Sequence, residues 1–213
     1  MTKRKFKQLK KGVLIVIEGI DGAGKSTQAK RLLDFLADDG YEVLGLTEPT
    51  NGVWGKKIRE MAHRGEREGI PEEEYRLFIL DRVENVEENI LPALAEKKVV
   101  LLDRYYFSTM AYQGARGLDP GKVMEENEEF APAPDLVVFI DIGVDECLRR
   151  IKKGRDGFSP FEKREYLDKV KEIFDREVVP LPFVLRVDGM KEEKSVFEKI
   201  VEVVMEKLSP LIV

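Results

Sequence analysis

Apolar positions along the chain fall into two alternating rhythms. Val13–Glu18 (VLIVIE) is a continuous β-branched run that turns abruptly into GIDGAGKST, which reads as a buried strand, a glycine loop and a helix start. Helical spacing then links Ala29, Leu32, Leu33 and Leu36 until Gly40 stops it, and residues 41–46 read as a second strand. Further strands are expected at Val99–Asp103, 136–140 and 183–187. Helices are expected at residues 53–62, 71–96 (kinked or divided by Pro92), 122–128, Val144–Lys152, 162–178 and 192–208. Between Asp103 and the helix at 122 the pattern predicts a loop holding Gly114 and Gly117. Strands apolar on both faces, alternating with helices, predict a mostly parallel sheet between helix layers.

At 213 residues the chain suits one α/β domain, expected over residues 13–213. Ahead of it Lys3, Arg4, Lys5, Lys7, Lys10 and Lys11 suggest a solvated basic arm over residues 1–12, to which no function is assigned. Charged residues make up 36%, against roughly 25% in an average soluble domain. With one Cys (Cys147), one His (His63) and one Trp (Trp54), this is the bias of heat-adapted proteins. A lone cysteine excludes an intrachain disulfide framework and a multi-cysteine metal site, and it fits a reducing compartment. No apolar run approaches the ~20 residues of a membrane span, and the start lacks the apolar core of a signal peptide. A cytoplasmic protein with no membrane partner is therefore expected. The net charge of −5 argues against a general nucleic-acid binder.

Gly19, Ile20, Asp21, Gly22, Ala23, Gly24, Lys25 and Ser26 match G-x-x-x-x-G-K-[ST] between a strand and an amphipathic helix, the context this phosphate loop requires. Glycines let successive N–H groups turn toward phosphate oxygens, and the helix N-terminus adds a positive dipole end. ATP is the expected ligand, with Lys25 bridging its β and γ phosphates, Ser26 holding Mg²⁺ through its hydroxyl, and Thr27 assisting. The fold class expected is thus α/β, a five-stranded parallel sheet of the P-loop NTPase type flanked by helices on both faces. The loop alone does not choose among GTPases, motor ATPases and small-molecule kinases.

The acceptor must be read from clusters at strand C-termini, Thr47-Glu48-Pro49, Asp103-Arg104-Tyr105 and Asp188-Gly189, and from Leu77–Arg82 within a helix. With EGIDGAGKSTQ at 18–28, EP after the second strand, LF-x-x-DR at 77–82 and DRY-x-x-ST-x-AYQG at 103–114, the chain resembles the thymidylate kinase family over nearly its whole length. The resemblance implies a kinase of the nucleoside monophosphate type with a small lid at about 149–162, acting on dTMP, commonly as a homodimer. It implies that Phe78 stacks on thymine, that Arg82 holds the acceptor phosphate with Arg104 beside it, and that Thr109 meets the base edge. Tyr112 would crowd C2′ and favour deoxyribose, and Glu48 and Gln113 would complete the substrate site. Asp21 would approach the sugar 3′-hydroxyl and metal shell, and Asp103 would orient Mg²⁺.

Gly22 stands where some members carry an arginine, which leaves the lid, with Arg149, Arg150, Lys153 and Arg155, to supply the cation at the transferred phosphate. The catalytic set implied is therefore Lys25, Asp21, Arg104, Arg149 and Arg155. Two departures stand out. Thr47 replaces the arginine of the family's TREP, for which Lys56, Lys57 or Arg59 could compensate, and Ser159-Pro160-Phe161-Glu162 lacks the usual lid-end arginine. A kinase for another deoxynucleotide, or for a nucleoside with Glu48 as base, remains an alternative. So does a nucleotide-binding regulator or nucleic-acid-associated ATPase using the basic arm.

Overall fold

A computed structural model describes residues 6–63, 71–152 and 160–213, without the side chains of residues 63, 152 and 160–163. Five parallel strands form one sheet in the order β2-β3-β1-β4-β5, with β1 Val13–Glu18, β2 Val43–Thr47, β3 Val99–Asp103, β4 Leu136–Asp141 and β5 Val184–Asp188. The three inner strands are apolar and buried almost throughout, as strands covered on both faces must be. From β1 the chain crosses to the edge strand β2, returns to β3 between them, and then crosses to β4 and β5 on the other side. The carboxyl end of β1 therefore lies where the connections diverge, the place where open α/β sheets bind ligands. Register carries Thr47 and Ile17 to Asp103, and Glu18 to Phe139, so the chemistry-bearing residues share one edge.

On one face α1 (Lys25–Asp38) packs against β2, β3 and α9 (Glu193–Leu208), joined by an edge-on Phe35–Phe197 contact at 6.2 Å. On the other, α5 (Tyr106–Gly114) packs against α6 (Pro120–Glu128), α3 (Pro71–Asn85) and α8 (Pro160–Ile173). The remaining helices are α2 (Val53–His63), α4 (Leu91–Ala95) and α7 (Val144–Lys152).

The expected loop before Gly114 is instead α5. Tyr106, Phe107, Ser108, Thr109, Met110 and Ala111 are all buried, so the helix has no polar stripe from which a 3.6-residue period could be read. Residues 71–96 do divide, but ahead of Pro92. The ladder widens to five-residue spacing at Val86–Ile90, where Leu91 N–H reaches Val86 C=O, and Pro92 then sits in the first turn of α4, where its missing N–H is tolerated. A second wide turn, Phe174–Val178, ends the helix expected over 162–178.

From Lys7 onward the basic arm is part of the fold. Leu9 is 3% exposed in the core, Lys7 pairs with Asp39 at 2.6 Å over the Tyr41 ring, and Lys11 pairs with Asp135 at 2.5 Å. Backbone bonds tie Lys10 to Leu211 and Val213 to Gln8, so this segment clasps the C-terminal residues.

Candidate active site

The glycine loop is shaped as its motif requires. Gly24 caps α1 from the left-handed region at φ 93°, so α1 begins at Lys25 with its first N–H groups turned into the loop. Gly22 has φ 82°, and a Cβ there would lie 2.9 Å from the Cys147 carbonyl, because α7 rests on the loop. Lys25 is buried and Nζ donates to Ile20 C=O at 2.9 Å. Burial and the neighbouring Arg104 charge lower its pKa to about 8, against the opposing pull of Asp21, Asp103 and Glu18. Ser26 Oγ donates to Asp103 Oδ2 at 2.5 Å, while Asp103 Oδ1 is buried with no hydrogen-bond partner among the described residues. A hydroxyl beside a carboxylate oxygen left unsatisfied is a hard-oxygen donor set that fits Mg²⁺. Among the described residues no group of three or more His, Cys, Asp or Glu side chains could hold a metal by themselves.

Glu18, the last residue of β1, has no role assigned from the sequence, yet it joins the two halves of the site. Its Oε1 accepts Tyr105 N–H at 2.8 Å and Ser108 N–H at 3.1 Å, and its Oε2 accepts the Ser108 hydroxyl at 2.6 Å. A carboxylate from the central strand thus satisfies two of the N-terminal amides of α5. Burial pushes its pKa up, while Ser108 and Arg104 act in the opposite direction.

Arg104 follows β3 at φ 71°, an uncommon region for a side-chain-bearing residue and one that clusters at functional sites. Its Nη2 donates to Asp21 Oδ1 and its Nη1 to Ser108 Oγ at 3.1 Å, and its guanidinium lies 5.4 Å from the Tyr112 ring centre. Burial alone would raise the Asp21 carboxyl, but Arg104 and Lys25 hold it down at about 2.

A cavity of about 380 Å³ opens from Asp21 and Arg104 toward α3, lined also by Glu48, Phe78, Arg82, Thr109, Tyr112 and Gln113, and by Glu74, Arg116 and Tyr166. Of the substrate-binding residues read from the sequence, every one lines this cavity. One of them already has protein partners along its whole guanidinium. Arg82, expected at the acceptor phosphate, is 1% exposed: its Nε donates to Glu48 Oε2 at 2.8 Å, its Nη2 to Thr109 Oγ1 at 2.9 Å, and its Nη1 to Asn127 Oδ1. A guanidinium already neutralised by a buried carboxylate offers little net charge to a phosphate. Glu48 accepts from Arg82 at Oε2 and from Asn85 at Oε1, the latter at 3.1 Å, and burial pushes its pKa up against them. Gln113 donates to Glu74 at 2.9 Å, and Arg116 bonds the same carboxylate. Asn127, Glu74, Arg116 and Tyr166 lie outside the sequence motifs that were read; each sits in a charged or glycine-containing stretch with no motif of its own, so no signal singled them out.

The loop after β2 is tied down locally. Asp81 accepts Thr50 N–H at 2.7 Å and its hydroxyl at 2.6 Å, while Arg59 donates to the carbonyls of Pro49 and Thr50. Of the residues that could stand in for the arginine absent at Thr47, Arg59 is occupied by backbone, Lys57 lies 4.4 Å over the Trp54 ring, and Lys56 is exposed. Of the lid cations, Lys153 and Arg155 lie outside the described residues. Arg149 and Arg150 both engage Glu146, and together with Gly22, Gly24 and Thr27 they line a second pocket of about 350 Å³ beside the glycine loop.

A phosphate loop at the switch point of a parallel sheet, with a cavity opening at Asp21, defines a P-loop phosphotransferase of the small-molecule kinase class. Comparison with known proteins narrows this. The family described as thymidylate kinase matches residues 17–200. A thymidylate kinase of Akkermansia muciniphila is 46% identical over 191 residues, covering 90% of each chain, and a probable thymidylate kinase of Archaeoglobus fulgidus is 43% identical over 192 residues, 90% of this chain and 94% of the other. A crystal structure of thymidylate kinase from Ehrlichia chaffeensis shares the fold at a TM-score of 0.74, with 24% identity over 91% of this chain and 99% of that one. The chain belongs to the thymidylate kinase family.

Two outcomes follow from these environments. Arg82→Met is expected to cost about 3–5 kcal/mol in urea unfolding, because it strands Glu48 without its counter-charge, and Arg82→Met/Glu48→Leu is expected to recover most of that loss; equal losses in the two variants would contradict the pairing. A polyanion beside Lys25 raises its pKa, so ATP affinity is expected to fall as pH rises through about 8, with uptake close to one proton at about pH 9. Calorimetry in buffers of different ionisation enthalpy measures that uptake, and none at alkaline pH would refute the lowered pKa.

Proposed function

We propose that the chain transfers the γ-phosphate of ATP to dTMP, giving dTDP. The observation that carries this reading is the polarity of the acceptor cavity. One end holds Arg104 beside Asp21 and the glycine loop; the other holds an internally neutral Arg82–Glu48 pair with Thr109, near the aromatic Phe78. A monophosphate ester of a flat, uncharged base has the matching polarity.

In this reading Arg104 takes the acceptor phosphate, Phe78 stacks on the base, and Arg82 with Thr109 presents donors to the base edge. Tyr112 walls the sugar. Lys25 leaves Ile20 C=O for the donor phosphates, and Arg149 and Arg150 exchange Glu146 for the nucleotide, with Lys153 and Arg155 as further candidates. Ser26 and Asp103 would hold Mg²⁺, which when bound neutralises phosphate charge. The attacking phosphate oxygen is ionised near neutral pH, so no general base is required, and positioning with electrostatic stabilisation carries the rate. A nucleoside acceptor would call on a carboxylate base, but both Glu48 oxygens are already engaged by Arg82 and Asn85.

The homodimer implied by the family resemblance belongs to this proposal. Its face is the groove between α3 and α6, where Ile79, Leu118 and Val123 lie beside Leu80, which is 41% exposed. Sedimentation velocity should give a dimer that Leu80→Glu dissociates; a wild-type monomer would remove it. Among the described residues no helix is long and apolar enough to cross a membrane, and a cytoplasmic location is part of the same reading.

Purified protein with Mg·ATP, offered dTMP, dUMP, dCMP, dGMP, UMP and thymidine in turn, should release ADP fastest with dTMP. Arg104→Met should lower kcat/KM for dTMP by about 100-fold or more, as expected for losing a charged contact at the reacting group. Faster turnover of thymidine would make the protein a nucleoside kinase. ATP hydrolysis stimulated by nucleic acid without any acceptor would favour the regulator or ATPase alternative.

A further inference from the structure

Tyr112 is held at both ends. Its hydroxyl accepts Asp21 N–H at 2.9 Å, and its carbonyl accepts the Tyr166 hydroxyl, also at 2.9 Å. The second bond answers a defect in the helix. As α5 ends, Ala115 N–H takes Ala111 C=O, but Arg116 N–H takes Gln113 C=O and Gly117 N–H takes Gly114 C=O. The tightened last turn skips Tyr112 C=O, leaving one terminal carbonyl for a donor from elsewhere. Tyr166 supplies it from α8, and its ring stands edge-on to the Tyr112 ring at 6.1 Å and 72°. Both side chains line the acceptor cavity.

We propose that Tyr166 is a specificity-determining positioning residue, whose hydroxyl caps the Tyr112 carbonyl and whose ring backs the Tyr112 ring so that the sugar wall cannot retreat from a 2′-hydroxyl. The inference rests on reading the cavity as a site for a deoxynucleoside monophosphate. A pocket rejects an added hydroxyl only weakly, and more weakly still when its wall can yield. Discrimination between deoxyribose and ribose therefore depends on how firmly Tyr112 is held as well as on its presence. The Asp21 bond fixes the tip of the side chain, and the Tyr166 bond fixes the backbone from which it projects.

The test compares dTMP with ribothymidine 5′-monophosphate, by calorimetric binding and by kcat/KM with Mg·ATP, in the full chain, Tyr166→Phe and Tyr166→Leu, with the thermal midpoint of each recorded. Tyr166→Phe keeps the ring and is expected to lower the deoxy-to-ribo ratio about fivefold, the scale of one hydrogen bond, through better acceptance of the ribonucleotide. Tyr166→Leu, which also removes the ring, should lower the ratio further. Equal losses on both nucleotides, or an unchanged ratio in folded variants of a wild type that turns over dTMP, overturn the inference alone. A wild type that neither binds nor phosphorylates dTMP overturns the reading of the site, and the inference with it.

Discussion

The carboxylate that ends the central strand is the constraint on which both halves of the site depend. Glu18 is buried, yet three donors at the start of α5 meet its two oxygens. An unpaired carboxylate in that position would be too costly to bury, so strand and helix are fixed relative to each other by the need to satisfy it. β1 runs on directly into the glycine loop, and α5 carries Thr109, Tyr112 and Gln113. One buried carboxyl group thereby ties the glycine loop to the α5 wall of the cavity, and Arg104, between strand β3 and α5, lies within the same network through Ser108.

Around that fixed centre charge is distributed unevenly. Toward α3 the Arg82–Glu48 pair is closed on itself, with Asn85, Asn127 and Thr109 taking further donors and acceptors. Such a fully bonded buried pair adds polarity and geometric definition to a pocket without adding net charge. Toward the glycine loop Lys25 and Arg104 face Asp21 and Asp103, and burial and the neighbouring guanidinium lower the lysine's pKa to about 8. This end gains most from an arriving polyanion, which raises the lysine's proton affinity and replaces its bond to Ile20 C=O. The site is thus closed into a buried pair where a base would lie, and holds its more exposed ion pair, Arg104 with Asp21, where phosphates would meet.

What could be read from the sequence follows from what each signal depends on. The strands and glycine loop were legible because buried parallel strands are continuous apolar runs and a phosphate cradle needs glycines at set spacing. Helix α5 was not, since burial on all sides erases amphipathic periodicity. The residues of the acceptor cavity were legible as a set through the family resemblance, but the environment of Arg82 was not: a guanidinium looks the same in sequence whether it awaits a phosphate or is closed by Glu48, Asn127 and Thr109, which lie far from it in the chain. The clasp at Lys7–Lys11 was hidden for a related reason, because lysines facing solvent and lysines flanking one buried leucine give the same charge-rich string.

Position 22 shows how packing limits which side chains can reach the glycine loop. The loop there is left-handed, and the Cys147 carbonyl of α7 would lie 2.9 Å from any Cβ, with Ile151 Cγ1 at 3.3 Å. The Cys147 thiol also donates to the Asp21 carbonyl, so α7 is fastened to the loop directly beside the glycine. An arginine at 22 would have to displace a helix in addition to accepting a strained φ. The same close contact that forbids it brings Arg149 and Arg150, two and three residues beyond Cys147, to the pocket beside Gly22 and Gly24. Removing the side chain at 22 and delivering cations from α7 are therefore one structural choice, since the helix can approach closely enough to place its arginines only where the loop presents bare backbone.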